Sequence, residues 1–316
     1  MTNNETILLT GASGFVGGAV FDALSNYNVI LCGRTNFTKG GPFFRKNINE
    51  CEDYSEPLNG VSIVIHCAAR AHVTKERLYN PLDEYRAVNV GGTLNLARQA
   101  AAQGVKRFIF ISSIKVNGES TSGMAPFREN DNRSPTDPYG ISKFEAEQGL
   151  KDIADSTGME VVIIRPPLIY GPGVKANFLS LMKLAVSPIP LPFGAINNAR
   201  SMIYIGNLID FIVKSIEHPK AANQIFIISD GEDVSLSSLV RLMRKSIGRS
   251  TWQIPIPKIL FEWIGTATNK RQVMERLIGS LQVDPSKAQS LLDWKPPFSV
   301  SQGIEITMQD FIKGKF

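Results

Sequence analysis

Thr10-Gly11-Ala12-Ser13-Gly14-Phe15-Val16-Gly17 joins the apolar run Ile7 to Thr10 to a helix-forming stretch from Phe15 to Ser25. A strand, a glycine-rich turn and a helix in that order bring the free N–H groups of a helix start to the carboxyl end of a strand. Glycines let the chain turn tightly there, and a negatively charged pyrophosphate can then approach the backbone donors. Gly11, Gly14 and Gly17 are spaced three apart, not in the two-then-three order of the general dinucleotide fingerprint. The position of the turn, more than its spacing, predicts a dinucleotide cradle.

The same alternation continues outward. Short apolar strands are expected at Val29 to Cys32, Val61 to Cys67, Phe108 to Ser112 and Val161 to Arg165, with helical stretches at Leu82 to Gln103 and Tyr139 to Thr157. Ser62-Ile63-Val64-Ile65-His66 and Arg107-Phe108-Ile109-Phe110-Ile111 are continuous apolar runs, the pattern of strands covered on both faces. The fold class is therefore α/β, a doubly wound, Rossmann-like parallel sheet with a smaller C-terminal substrate-binding region. After Arg165 the texture changes, with Pro and Gly crowded into Arg165 to Gly173 and Ser187 to Gly194. Further helices are expected at Asn207 to Glu217, Ser235 to Ile247 and Ser301 to Lys313, and from Asp284, where Asp284-Pro285 offers an N-cap and a first-turn proline. The expected division is a dinucleotide-binding domain over residues 1–166, with a return around 203–228, and a substrate-binding region over 167–202 and 229–316.

At 316 residues, with 43% hydrophobic and 20% charged residues, the chain is long and apolar enough to bury a large core unaided. Its three cysteines are an odd number without metal-ligand spacing, so neither a disulfide framework nor a metal site is expected. No apolar run approaches the roughly 18 to 20 residues of a membrane span. Met1 to Glu5 lead straight into the first strand without room for a signal peptide, so the expected location is the cytoplasm. The net charge of +5 comes from scattered Lys and Arg without interleaved aromatics, and nucleic acid is not an expected partner.

Several residues carry chemistry. The second strand ends Leu31-Cys32-Gly33-Arg34, where an NAD domain usually places an acid on the ribose hydroxyls. Arg34 suits a 2′-phosphate instead, so NADP(H) is favoured, with NAD the alternative. Ala68 and Ala69 end the next strand with small side chains that let a cofactor approach closely, and His66 within that strand reads as a buried, hydrogen-bonded histidine. Ser112-Ser113 ends another buried strand, at the sheet edge where ligands bind in this architecture. Tyr139 and Lys143 are four apart and share a helix face. A neighbouring Lys cation favours the phenolate, which would draw Tyr139 toward a useful acid/base range, with Ser113 hydrogen-bonding the same substrate oxygen. Such a group is suited to moving a proton on a hydroxyl or ketone while a nicotinamide moves a hydride.

Thr10 to Gly17, Ile65-His66-Cys67-Ala68-Ala69, Asn89 to Asn95, Ser112-Ser113, Tyr139 to Lys143 and Arg165 to Pro172 together carry a resemblance over essentially the whole length. The chain resembles the extended short-chain dehydrogenase/reductase superfamily, and within it the NAD-dependent epimerase/dehydratase family. The resemblance implies catalysis by Ser113, Tyr139 and Lys143. It implies cofactor contacts from Gly11, Ser13, Gly14, Phe15, Val16 and Gly17, with Pro166 to Leu168 lining the nicotinamide and Asn89 buttressing its side of the site. It implies substrate contacts from Ser113, Asn177, Leu191 in a segment that meets a uracil edge, and a diphosphate clamp of Arg200 and Arg276.

Ser113 to Gly118 lacks the acidic pair of the family's dehydratases, so dehydration is not expected, and Asn117 replaces the family's usual Tyr beside the sugar pocket. Chemistry at C4 remains. Arg34 tips the reading toward NADPH reduction of a UDP-4-keto-6-deoxy-N-acetylhexosamine in surface-polysaccharide synthesis. The alternative is a C4 epimerase of a UDP- or polyprenyl-diphosphate-linked hexose or N-acetylhexosamine. A third reading, of another class, is a non-catalytic NADP-binding regulatory protein. Relatives often pair the helices containing Leu82 to Gln103 and Tyr139 to Thr157 across a four-helix interface, which implies a homodimer.

Overall fold

The computed structural model describes residues 5–35, 40–71, 80–131, 135–267 and 271–314. Its strands are β1 (Thr6–Thr10), β2 (Asn28–Gly33), β3 (Phe43–Arg45), β4 (Ile63–His66), β5 (Arg107–Ile111), β6 (Glu160–Arg165), β7 (Leu168–Tyr170), β8 (Met202–Tyr204) and β9 (Gln224–Ile227). Seven of them form one sheet in the order β3-β2-β1-β4-β5-β6-β9, with every neighbouring pair parallel. The doubly wound sheet expected from the sequence is present.

Parallel pairing puts all the strand ends on one edge. Thr10 pairs with both Cys32 and His66, and Ile111 pairs with Ile164. The glycine turn, the Arg34 loop, Ala68, Ser113 and Pro166 consequently all leave the sheet at its carboxyl edge. The strand order reverses between β1 and β4, which opens the crevice where ligands bind in such sheets.

Alternate residues of each strand supply two cores. Ile7, Leu9, Ile63, Ile65, Ile109, Ile111, Val162 and Ile164 face one side with Leu208 and Phe211 of the helix Ile205–Glu217. Leu8, Val64, Phe108, Phe110, Val161 and Ile163 face the other with Leu96, Ala97, Ala146 and Leu150. Because both sides are covered, the strands read as unbroken apolar runs. Arg107 fastens the first layer from the sheet edge. Its Nη1 donates to the carbonyls of Ser215, Ile216 and His218 at 2.7 to 3.2 Å, satisfying the acceptors that a helix C-terminus leaves open.

The stretch from Leu82 to Gln103 is not one uniform helix. Pro81–Tyr85 is α-helical, Arg86–Gly92 widens into a π-turn and Thr93–Ala102 resumes the α-helix. A Cβ at Gly92 would meet Ile48 at 2.6 Å, so the wide turn lets backbone pass close under the loop after β3.

The rest of the chain adds the parallel pair β7-β8 and the helices Ala176–Val186, Leu236–Ser246, Lys258–Ala267, Arg271–Ile278, Ser286–Leu292 and Val300–Lys313. The first, third and fourth of these were not anticipated from the sequence. The last is closed by a capping box in which Ser299 and Gln302 exchange side-chain and backbone bonds. The helix expected from Asp284 starts two residues later, at Ser286, with Pro285 at the cap position. Asp284 instead accepts the Ser286 N–H at 3.0 Å, forming a turn ahead of the helix. Among the described residues, no helix is long and apolar enough to cross a membrane.

Candidate active site

The turn after β1 is built by close approach. Gly11 has φ +76°, and a Cβ there would stand 2.7 Å from the backbone nitrogen of Ala68. A Cβ at Gly17 would stand 2.2 Å from the Gly11 carbonyl oxygen, so the third glycine lets the helix Phe15–Ala23 pack onto its own turn. Gly14 is the N-cap, without any side-chain cap and without an acid in the first turn. The first-turn N–H groups of that helix keep their donor capacity for an anion. Ser13 and Gly14 are exposed, while Phe15 and Val16 are half-buried.

Beside the turn, the Thr10 hydroxyl lies 2.7 Å from His66 Nδ1, and His66 Nε2 lies 3.0 Å from the Thr93 hydroxyl. Burial pushes His66 down to about 3, so the ring is neutral across the physiological range. It is a strut between β1, β4 and the helix Thr93–Ala102. Ala68 is half-buried, and Ala69 and Arg34 are exposed at the same sheet edge.

The two serines after β5 have different surroundings. Ser112 is buried and donates to Glu147 Oε1 at 2.5 Å. Ser113 is half-buried and caps the short 3-10 turn Ile114–Val116, its oxygen accepting the Lys115 N–H at 3.3 Å. Tyr139 and Lys143 project from the first two turns of the helix Pro138–Thr157. Lys143 is buried, and its Nζ donates to the Ile111 carbonyl at 2.8 Å and sits 4.2 Å above the Phe110 ring. Tyr139 is half-buried with its ring edge against Tyr85, centroids 5.9 Å apart.

Here the electrostatics depart from the sequence reading. Burial pushes the Lys143 amine down to about 7, partly countered by Glu147. Burial also pushes the Tyr139 phenol up, helped by Asp137 and Tyr85. The expected lowering of Tyr139 by a Lys143 cation is not what the chain's own groups produce, because desolvation penalises both charged forms.

Behind these side chains lies a polar layer invisible in the motifs. Glu147 and Arg165 form a buried ion pair, Nη2 to Oε2 at 2.5 Å and Nε to Oε1 at 3.0 Å. Arg165 Nη1 also donates to Asn117 Oδ1 at 3.0 Å, and Asn117 Nδ2 donates to the Arg128 carbonyl at 2.8 Å. Asn117, which stands where the resemblance puts a Tyr, is thus buried and turned inward and completes the Arg165 cage. Asn89, in the π-turn, is also buried. It clasps Arg70 through both backbone groups, at 2.8 and 3.1 Å, and donates to Ser142 Oγ at 3.0 Å. That fixes the loop after β4 against the helix bearing Tyr139 and Lys143.

Residues 7–229 match the profile of the NAD dependent epimerase/dehydratase family. The chain belongs to that family. Among its relatives, a UDP-glucose 4-epimerase of Vibrio cholerae is 49% identical over 98% of this chain and 96% of its own length. An N-acetyl-alpha-D-glucosaminyl-diphospho-ditrans,octacis-undecaprenol 4-epimerase of Escherichia coli O157:H7 is 28% identical over 99% of this chain and 97% of its own. In fold the chain is similar to a Bacillus cereus UDP-glucuronic acid 4-epimerase solved in complex with NAD, with a TM-score of 0.77 at 23% identity over 98% and 99% of the two chains.

The residues of this family member fit an NAD(P) dinucleotide. Gly11, Gly14 and Gly17 leave the backbone bare where a Cβ would clash or crowd, and the uncapped helix start faces the same crevice. Pro166 is buried at the end of β6, its carbonyl holding the Ile114 N–H at 3.0 Å, and Leu168 is exposed beyond it.

The substrate-side residues are less gathered. Asn177 is exposed on the helix Ala176–Val186. Leu191 points into the core, and its carbonyl takes the Ile254 N–H at 2.9 Å. Arg200 is half-buried and donates to the Gly279 carbonyl at 3.1 Å. The Arg276 side chain lies outside the described residues. A cavity of about 700 Å³ opens between Ser120, Ser122 and the helices Lys258–Ala267 and Arg271–Ile278, with Gly279 on its wall. Arg200 is therefore one hydrogen bond from this cavity, whereas Ser113, Tyr139 and Lys143 do not line it.

Proposed function

We propose that this protein interconverts the C4 epimers of a UDP-hexose, UDP-glucose and UDP-galactose first among them, using a resident NAD. The observation that carries this reading is the 49% identity to the Vibrio cholerae UDP-glucose 4-epimerase along nearly the whole of both chains. The preference for one-way reduction rested on Arg34 as an NADP selector, and that preference is replaced. Arg34 is an exposed residue at a strand end, and the similar Bacillus cereus enzyme was solved with NAD.

A bound nicotinamide supplies reversible acceptance of the hydride from C4. Tyr139 takes the proton from the C4 hydroxyl as the phenolate and returns it to the C4 oxygen as the phenol; its resting form is the neutral phenol, so the phenolate forms by passing the Tyr139 proton to the neutral Lys143 amine. Lys143, near its midpoint at neutral pH and one helical turn from Tyr139, exchanges charge with that proton at small cost. Ser113 hydrogen-bonds the same oxygen and holds it in line. Asn89 acts through Ser142 and the Arg70 loop as a positioning residue. A second reading, the same chemistry on a polyprenyl-diphosphate-linked N-acetylhexosamine, is favoured by the Escherichia coli relative.

The test is incubation of purified protein with UDP-glucose and no added cofactor, followed by NMR of the sugar. UDP-galactose should accumulate to equilibrium. Failure to form it, together with stoichiometric NADPH consumption on a UDP-linked 4-keto sugar, would overturn the assignment.

A further inference from the structure

Tyr139, Lys143 and Glu147 recur at four-residue intervals on the helix Pro138–Thr157, so they lie along one face. The first two handle the substrate proton. Glu147 is fully buried one turn further on, a costly place for a carboxylate. Its partners gather around the end of β5. Oε1 accepts the Ser112 hydroxyl at 2.5 Å and Arg165 Nε at 3.0 Å, and Oε2 accepts Arg165 Nη2 at 2.5 Å. Ser112 stands between two groups that matter for turnover: the Ile111 carbonyl before it accepts Lys143 Nζ at 2.8 Å, and Ser113 follows it. The Ser112 N–H is meanwhile held by the Ile164 carbonyl of β6 at 2.7 Å. A buried ion pair adds little net stability over apolar side chains of the same shape, so stability alone is a weak reason for this one.

We propose that Glu147 is a positioning residue of the reaction. Through the Ser112 hydroxyl it fixes the strand end that carries both Ser113 and the acceptor of Lys143, and from one helical turn away it balances the charge of Lys143. The groups that favour the charged Lys143 are Glu147, the stronger, and Cys67 at the end of β4. Burial pushes Cys67 up to about 12 and His66 down to about 3, so both are neutral at working pH. The other charges on the packed elements are already engaged. Arg165 of β6 is on Glu147, Lys115 after β5 is on Glu119 and Asp137 at 3.1 and 3.0 Å, and Arg86 of the π-turn is on Glu145. Tyr85 meets Tyr139 by its ring edge. The inference rests on the C4 reading only for its turnover assays.

Glu147→Gln keeps an acceptor for Ser112 and removes the charge. The midpoint at which kcat rises with pH, set by the Lys143 amine at about 7 in the parent, should fall by about one unit. The same shift should appear without substrate. Lys143 is held below the ordinary lysine range, so stability rises with pH above its midpoint, and in Glu147→Gln that rise should begin about one unit lower. Glu147→Gln combined with Arg165→Met leaves no buried charge unpaired and should move both profiles the same way, which covers a single variant that does not fold. Ser112→Ala keeps the ion pair and should lower kcat about tenfold, with KM and the midpoint unchanged. Parent midpoints in the Glu147 variants, or parent kcat in Ser112→Ala, would overturn the proposal. A parent protein that epimerises nothing would sink the C4 reading alone, and the stability profiles would still decide whether Glu147 governs Lys143.

Discussion

The glycine turn and the strip at residues 187–194 are both places where Pro or Gly interrupts regular structure, yet they are organised differently. Around the turn, polar groups are answered from neighbouring elements: Thr10 by His66 of β4, Ser112 by Glu147 of the helix Pro138–Thr157, and Asn89 by Arg70 of the loop after β4. In the second region the chain is held through backbone carbonyls and a long arginine, with Leu191 and Phe193 turned into the core and Ile189 facing outward. A site at the ends of buried strands has its side chains fixed in advance by the sheet register. A site on connecting segments is shaped by what binds it.

Substitutions can break or sharpen that contrast. Tyr139→Phe should lower kcat for epimerisation by about 10² to 10⁴ with the fold intact, measured by turnover beside circular dichroism. Glu147→Ala should strand the buried Arg165 charge and cost about 3 to 5 kcal/mol in urea unfolding, because both members of that pair are out of water.

The Lys143 amine, held down to about 7 by burial, gives a pH signature. Between about pH 7 and the ordinary lysine range the unfolded chain binds more protons than the folded one, so stability should rise with pH across that window. The rise is on the order of a few kcal/mol, and Lys143→Met should flatten it. Asn89→Ala leaves the Arg70 backbone groups without their clasp and should cost about 1 to 3 kcal/mol, with KM for substrate less affected than kcat. Asn177→Ala, on an exposed helix start, should move stability by less than about 0.5 kcal/mol. A tenfold rise in KM from that change would mean that the second region is organised as firmly as the first.

What was legible in the sequence follows the same divide. Gly11 to Gly17, Ser113, Tyr139 and Lys143 announce themselves because their geometry is local: a turn, a strand end, one helix face. The Glu147–Arg165 pair was missed because it requires β5, β6 and the helix Pro138–Thr157 together. A signal existed, since Glu147 is four residues beyond Lys143 on the same face. The inward turn of Asn117 was not legible because a strand-end loop does not reveal which way its side chains turn. The π-turn at Asn89 depends on Gly92 passing under Ile48, a contact no periodicity encodes. The direction of the Tyr139 shift was misjudged because sequence spacing brings Lys143 near but says nothing of burial.

The most direct test of C4 epimerisation follows the hydrogen itself. UDP-glucose carrying deuterium at C4 should yield UDP-galactose that keeps the deuterium at C4, with no label in added NADP(H) and none lost to solvent. Label lost to water, or transferred to a free cofactor pool with no epimer formed, would contradict the assignment.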